Sequence, residues 1–128
     1  ILNYIRKNKL AQPFPIKCLH PVANLKDYKL WNRDVDKKKE KYWKCRPYHY
    51  WNSGIWPFIG GFYILTLIKL GKKAQAEFYL EKLALLNKKN NWQFNEWFDG
   101  LKAKPSGQPF QTWNAGMYIK AYLNYLTS

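Results

Sequence analysis

Between Pro57 and Leu70 nearly every position is apolar and Lys69 is the first charge, so a helix built from this stretch has no face to give to water. Pro57 suits the first helical turn, where its missing N–H costs nothing, and Gly71 suits the residue just past the end. The pattern predicts a helix over 57–70 surrounded by protein. Residues 73–87 behave differently. Ala76, Leu80, Leu83 and Leu86 or Asn87 recur on one face, while Lys73, Glu77 and Glu81 follow at i, i+4 steps on another, which predicts an amphipathic helix with one wet side. A third helix is expected over 112–126, where Asn114, Lys120 and Asn124 are the only strongly polar residues. At the chain start Leu2, Ile5 and Lys9 keep helical spacing until Pro13 and Pro15 stop it, which reads as the tail of a helix.

The stretch from Pro13 through Pro47 mixes prolines, lysines and isolated aromatics without a sustained period, although residues 16–19 could form a short extended piece. A second long connection runs over 88–111. Loops of such length in a compact chain are usually functional.

Buried, amphipathic and buried helices in succession are the order of an α/α toroid, whose inner helices are enclosed and whose outer helices face solvent on one side. The Gly71-Lys72 turn would join an inner helix to its outer partner, and the 88–111 connection would return to the next inner helix. Long connections then gather on one face of the ring, where a rigid scaffold can hold binding residues. A closed double ring needs about a dozen helices and the pattern offers three or four. Two helices that are apolar all round would leave large exposed patches, so a partner chain, an oligomer or further polypeptide is expected to cover the open ring.

The 128 residues, 47% of them hydrophobic, fit one domain spanning 1–128 and exclude a disordered reading. The purely apolar run 55–65 is well short of the roughly 20 residues a membrane span needs. Arg6 and Lys7 come too early for a signal peptide, and the start at Ile1 reads as a helix entered midway. Cys18 and Cys45 show neither metal spacing nor a disulfide framework, and are expected to be free thiols of a reducing, cytoplasmic compartment.

A net charge of +14 raises nucleic acid or an anionic membrane as partners. The excess is lysine, however, with Arg6, Arg33 and Arg46 the only arginines, and base and phosphate recognition leans on arginine's bidentate fork. A solvated basic surface, with Lys37-Lys38-Lys39-Glu40-Lys41 as an exposed loop, fits better.

Candidate chemistry concentrates on Trp92-Gln93-Phe94-Asn95-Glu96-Trp97-Phe98-Asp99-Gly100. A carboxylate among aromatic rings has its charged form disfavoured by desolvation, which makes Glu96 a candidate general base; a solvated or helix-capping carboxylate is the competing reading. Asp99-Gly100 reads as a turn. Tyr48-His49-Tyr50-Trp51-Asn52-Ser53-Gly54-Ile55-Trp56-Pro57 leads into the first buried helix, and Gln108-Pro109-Phe110-Gln111-Thr112-Trp113-Asn114-Ala115-Gly116 into the last. In a toroid both segments lie at the same end as Glu96. Flat rings for a sugar face, with amides and hydroxyls for its edge, are what a carbohydrate site needs, while Trp56 and Trp113 read equally as core residues at helix starts. His49 has no Cys or suitably spaced second His beside it, so no metal and no cofactor is expected. Gly60-Gly61 lies inside a helix and is not a phosphate loop.

Four ordered motifs carry a family resemblance: Gln12-Pro13-Phe14-Pro15-Ile16-Lys17, the run from Asn52 to Phe62, Phe94-Asn95-Glu96-Trp97-Phe98, and Gln111-Thr112-Trp113-Asn114-Ala115-Gly116-Met117-Tyr118. Together they resemble the C-terminal portion of amylo-α-1,6-glucosidases of the glycogen-debranching type, and are similar to the neutral/alkaline invertases that share the (α/α)6 barrel. The resemblance implies an all-α chain, a partial (α/α)6 toroid made of the C-terminal helices of a six-hairpin barrel. It implies an inverting glycoside hydrolase acting on an oligosaccharide or glucan, with Glu96 as general base and Trp56, Asn52, Asn95, Gln111, Trp113 and His49 in the sugar site. The family's general acid lies earlier in the barrel and has no match here: Asp27, Asp34 and Asp36 fall in the lysine-rich loop and Asp99 is too close to Glu96 in sequence. Little or no activity is therefore expected of this chain by itself. Relatives read Tyr-His-Asn-Gly-Gly-Ile-Trp-Pro in the second motif, where this chain has Trp51 and Ser53. The competing reading is a noncatalytic carbohydrate-binding or interaction domain derived from the same fold.

Overall fold

A computed structural model describes residues 1–23 and 46–128. Asp27, Arg33, Asp34, Asp36, the lysine run at 37–41 and Cys45 lie outside the described residues. The chain is all-α in character, with helices α1 (Leu2–Lys7), α2 (Pro57–Lys69), α3 (Lys73–Lys88) and α4 (Thr112–Leu126), plus two short strands, β1 (Trp97–Phe98) and β2 (Pro105–Ser106). This helical order is that of a partial α/α toroid.

Helix α2 begins with Pro57 in its first turn and ends at Leu70, after which Gly71 takes φ +66°. The Gly71 N–H then reaches the Ile68 carbonyl and the Lys72 N–H the Leu67 carbonyl, closing the helix end in the paired-bond motif that glycine favours. The same closure ends α1, with Lys9 at φ 52° in the left-handed position: Lys9 N–H meets Arg6 O and Leu10 N–H meets Ile5 O. Helical spacing at Leu2, Ile5 and Lys9 therefore extends two residues beyond the helix itself.

The turn at Gly71-Lys72 folds α3 back on α2, and α4 packs on both. The buried stripe of α3 is Ala76, Leu80, Leu83, Leu86 and Asn87. These residues meet Ile64 and Leu67 of α2, Ala121 of α4, and Ile55, Phe98 and Ala103 from the connections, in one hydrophobic core. Complete burial of each large side chain is worth about 1.5–3 kcal/mol. Asn87 sits in this stripe with both side-chain amide atoms buried and lacking a hydrogen-bond partner among the described residues.

Helices α2 and α4 run side by side in the same direction. Asn114 in the first turn of α4 touches the first turn of α2, and one turn further along both helices Gly61 meets Met117. A Cβ built on Gly61 would lie 3.0 Å from both the Cβ and the carbonyl oxygen of Met117. The absent side chain is what lets the two backbones come this close. Gly60, the next residue back, makes the same allowance for the Pro15 carbonyl, 2.7 Å from where its Cβ would be.

The two all-apolar helices are not enclosed on every side. Trp113, Ile119, Tyr122, Leu123 and Leu126 of α4 and Phe62 of α2 are exposed. No helix among the described residues is long and apolar enough to cross a membrane.

Between the helices a small ribbon of extended segments forms that periodicity does not reveal. Ile55 bridges Lys17 on one side and Phe98 on the other, and β1 pairs antiparallel with β2 in the register Trp97–Ser106 and Phe98–Pro105. Ile55 and Phe98 exchange both N–H···O bonds at 2.8 Å, Cys18 N–H reaches Gly54 O at 3.0 Å, and Trp56 N–H reaches Ile16 O at 3.2 Å. Each segment contributes too few residues for an alternating pattern to register, so it is pairing that makes the extended state.

Candidate functional site

The ribbon and the first turns of α2 and α4 converge on Glu96. Helix α2 lacks a side-chain cap of its own, and the cap comes from α4: Asn114 Oδ1 accepts the Phe58 N–H at 3.0 Å. The Asn114 amide nitrogen donates to the Asn95 carbonyl at 2.6 Å and to the Glu96 carbonyl at 3.2 Å. A single fully buried amide thus ties both helix N-termini to the Asn95-Glu96 backbone. A polar residue in an apolar helix is the signal in the sequence. Its partners lie far along the chain and cannot be read there.

Glu96 is half-buried. Its N–H donates to the Gln108 carbonyl at 2.8 Å, and its Oε2 accepts the Gln108 N–H at 3.3 Å. The return strand reaches this position through Gly107, at φ +69°, and a Cβ there would lie 2.5 Å from Glu96 Oε2 and 2.8 Å from Trp97 Cδ1. Gly107 therefore meets two demands, a left-handed backbone and contact with the carboxylate. The result is a carboxylate with one oxygen oriented by a backbone N–H on a backbone held by Asn114.

The amides expected around it divide by task. Asn52 is buried and pairs with the backbone of Ala23, its Oδ1 accepting the N–H and its Nδ2 donating to the carbonyl, each at 2.9 Å. This fixes the segment after Cys18 against the loop that enters α2. Asn95 is buried and accepts from Asn90 Nδ2 at 2.7 Å, which closes the α3–β1 connection. Gln111 is the N-cap residue of α4: its N–H reaches Phe94 O at 3.0 Å, its carbonyl receives Asn114 and Ala115, and its side chain turns to Pro109 O at 3.5 Å.

His49 Nε2 lies 3.1 Å from Asp99 Oδ2, and its ring lies 5.6 Å from that of Trp97. Asp99 opens the turn between β1 and β2, its Oδ1 accepting the N–H groups of Leu101 and Lys102 at 2.9 and 2.6 Å. The pair locks the loop before α2 to the strand that follows Glu96. His49 Nδ1 is buried without a hydrogen-bond partner among the described residues.

The aromatic residues form a continuous set. Trp56 is buried, donates from Nε1 to Tyr50 O at 3.1 Å, and lies beside Phe58, whose ring in turn reaches Trp113. Trp113 is half exposed at the start of α4. Trp51 lies flat on Trp56, and Tyr50 packs against Trp51, Trp56 and Trp97. Ser53 adopts φ +72° and donates its hydroxyl to Leu19 O at 2.6 Å.

Cys18 is a free thiol, hydrogen-bonded to the carbonyls of Tyr50 and Trp51. Burial pushes its pKa up to about 11. It acts in the structure as a donor that pins the loop. No group of three or more His, Cys, Asp or Glu suited to a metal ion occurs among the described residues.

Compared with known proteins, residues 1–124 match the family model described as alkaline and neutral invertase. No curated protein matches the chain.

Proposed function

The chain belongs to the alkaline and neutral invertase family of glycoside hydrolases, and from that premise we propose that it supplies the general-base side of an inverting glycosidase site acting on α-glucosides, with Glu96 as the base. The orientation of the Glu96 carboxylate carries this reading. Oε2 is engaged by the Gln108 N–H while the group stays partly open to solvent, so a water molecule can reach it.

In such a reaction Glu96 takes a proton from that water as its oxygen bonds to the anomeric carbon. The glycosidic C–O bond breaks on the opposite face, and an acid roughly 6.5–9.5 Å away protonates the departing oxygen. A separation of that size leaves room for the water and inverts the anomeric centre. Asp99 does not serve as this acid, because its two oxygens are engaged by His49 and by the turn it opens. The acid comes from outside the segment that holds Glu96.

In this reading Trp113, half exposed at the start of α4, and Gln111, its N-cap, take part in holding the sugar, the buried Trp56 supports the aromatic set from beneath, and Asn52, Asn95 and His49 hold the loops around the carboxylate. Sucrose is the first substrate to test. Branched α-1,6-dextrin, the substrate of the debranching glucosidases that the motifs also resemble, is the second.

The test is glucose release from sucrose, maltose, trehalose and an α-1,6-branched dextrin by the intact natural protein and its Glu96→Gln variant. Loss of a general base lowers kcat by about 10²–10⁴-fold, with KM little changed because the amide keeps the shape of the site. Undiminished turnover in Glu96→Gln would refute the assignment. Sugar binding in both proteins with turnover in neither would favour a noncatalytic carbohydrate-binding domain.

A further inference from the structure

Trp51 and Trp56 are stacked with ring centroids 3.9 Å apart and planes 9° from parallel. Trp56 is 2% exposed and Trp51 is 50% exposed, so the pair roots one indole in the protein and displays the other. An exposed tryptophan is ordinarily free to change rotamer. This one loses its stack if it turns, and its backbone is fixed as well.

The Trp51 carbonyl accepts from Cys18 Sγ at 3.2 Å. The preceding carbonyl, that of Tyr50, accepts from Gly54 N–H, Cys18 Sγ and Trp56 Nε1 at 3.0, 3.3 and 3.1 Å. The Tyr50 ring closes on both indoles, with centroids 5.5 and 5.2 Å away. The fold therefore supplies the ordering that a ligand would otherwise have to impose, and that preorganisation favours binding.

A rigid, flat, apolar face one indole wide is complementary to the C–H face of a pyranose ring, whose hydroxyls point outward from its edge. Its position is suitable. Tyr50 packs 6.0 Å from Trp97, the residue after Glu96, and the Cδ1 edge of Trp97 meets Gly107 where Glu96 Oε2 also lies. Trp51 and the carboxylate stand at two ends of one aromatic cluster. A second route joins them, since Trp56 packs on Phe58, and Asn114 bonds both the Phe58 N–H and the Glu96 carbonyl.

We propose that Trp51, carried on Trp56, is the stacking platform for a pyranose ring of the substrate and a determinant of which glycosides the site accepts. The proposal deepens the reading of Glu96 as a base and rests on it.

Its test separates the two. In a Glu96→Gln background the intact protein is titrated calorimetrically with maltotriose and with methyl α-D-glucopyranoside, then compared with the Trp51→Phe and Trp51→Ala variants of the same background. Trp51→Ala is expected to weaken binding about tenfold, with a cooperative urea unfolding transition retained, and Trp51→Phe to retain most of the affinity. Both replacements should remove the coupled near-UV signal of the stacked indoles. With Glu96 present, Trp51→Ala should raise KM about tenfold at nearly constant kcat. To cover the case in which Trp51→Ala fails to fold, oxidation of the parent by N-bromosuccinimide is followed by peptide mapping, and maltotriose should protect Trp51.

Binding within twofold of the parent in folded Trp51→Ala, or absence of protection at Trp51, overturns the platform and leaves the base assignment to the turnover result. Normal turnover in Glu96→Gln overturns the base while the binding data still decide the platform.

Discussion

Single residues in this chain work through the places where a backbone approaches them. Gly107 is the clearest case, because its left-handed φ and its contact with Glu96 each exclude a side chain. Gly107→Ala is expected to cost about 1–3 kcal/mol in a denaturant melt, and to lower turnover more than the stability change explains, because the added methyl displaces the carboxylate. A stability loss with full turnover would show that Glu96 is not held by this contact. Cys18 offers an independent check on the loop before α2. Its thiol is displaced from an ordinary value of 9.0 to about 11 by burial, so the thiolate is scarce at neutral pH. Alkylation by iodoacetamide should be slow at pH 7 and 8 and accelerate only as pH rises toward 11. Because folding raises this acid's pKa, its contribution to stability is complete below pH 9 and is lost as pH climbs through the folded value. Neither behaviour can be read from the sequence, where Cys18 is an unpaired cysteine with no neighbours to define its burial. The carboxylate of Glu96, by contrast, stands out in the sequence itself, as an acidic residue among aromatic and amide neighbours.

At the scale of elements, Asn114 is the joint. It caps α2 from α4 and holds the carbonyls of Asn95 and Glu96, so Asn114→Ala leaves one buried N–H and two carbonyls without their partner. The expected cost is about 1–3 kcal/mol by thermal or urea unfolding. Asn114→Asp should do less harm at the Phe58 N–H than at the two carbonyls, since a carboxylate accepts but cannot donate. A melt and turnover indistinguishable from the parent would remove Asn114 from this role. Gly61→Ala should separate α2 from α4, with a penalty of about 1–3 kcal/mol for overpacking at Met117. The helices themselves are legible: the stripe of α3, the start of α2 at Pro57 and its end before Gly71 follow from 3.6-residue periodicity and from the chemistry of proline and glycine. The ribbon through residues 17, 55, 98 and 105 is not, because its pairings join residues far apart in sequence and each segment is too short for a period. Residue type offers one hint, since residues 16–19 have the look of an extended piece.

For the whole molecule, the exposed side of α4 matters most. Ile119, Leu123 and Leu126 there are each more than half exposed, at 53, 54 and 58%. Apolar surface of this extent drives association even in a chain carrying a net charge of +14, whose self-repulsion works against it. The 128-residue chain expressed alone should scatter light increasingly with concentration and with added salt, and Leu123→Glu with Leu126→Glu should suppress this without changing helix content. Concentration-independent behaviour of the unmodified chain would show that this face is not sticky.

What the sequence by itself determined is local and periodic: an all-α class, the extents of three helices to within a residue, the solvent side of α3, and the segments in which a carboxylate and aromatic rings gather. Ordered motifs added the glycoside hydrolase class, because several short signatures in a fixed order are far more specific than any one of them; the family shown is that of the neutral and alkaline invertases, which the motifs resemble alongside the debranching glucosidases. Only the tertiary structure decided how those segments meet. It assigned Asn52 to the Ala23 backbone, gave Asn114 to the joint between two helix starts, placed Gly107 against Glu96, and laid Trp51 flat on Trp56. The reason is physical. Periodicity and propensity act over a few residues, whereas a hydrogen bond or ring contact between positions dozens of residues apart exists only after the core has brought them together.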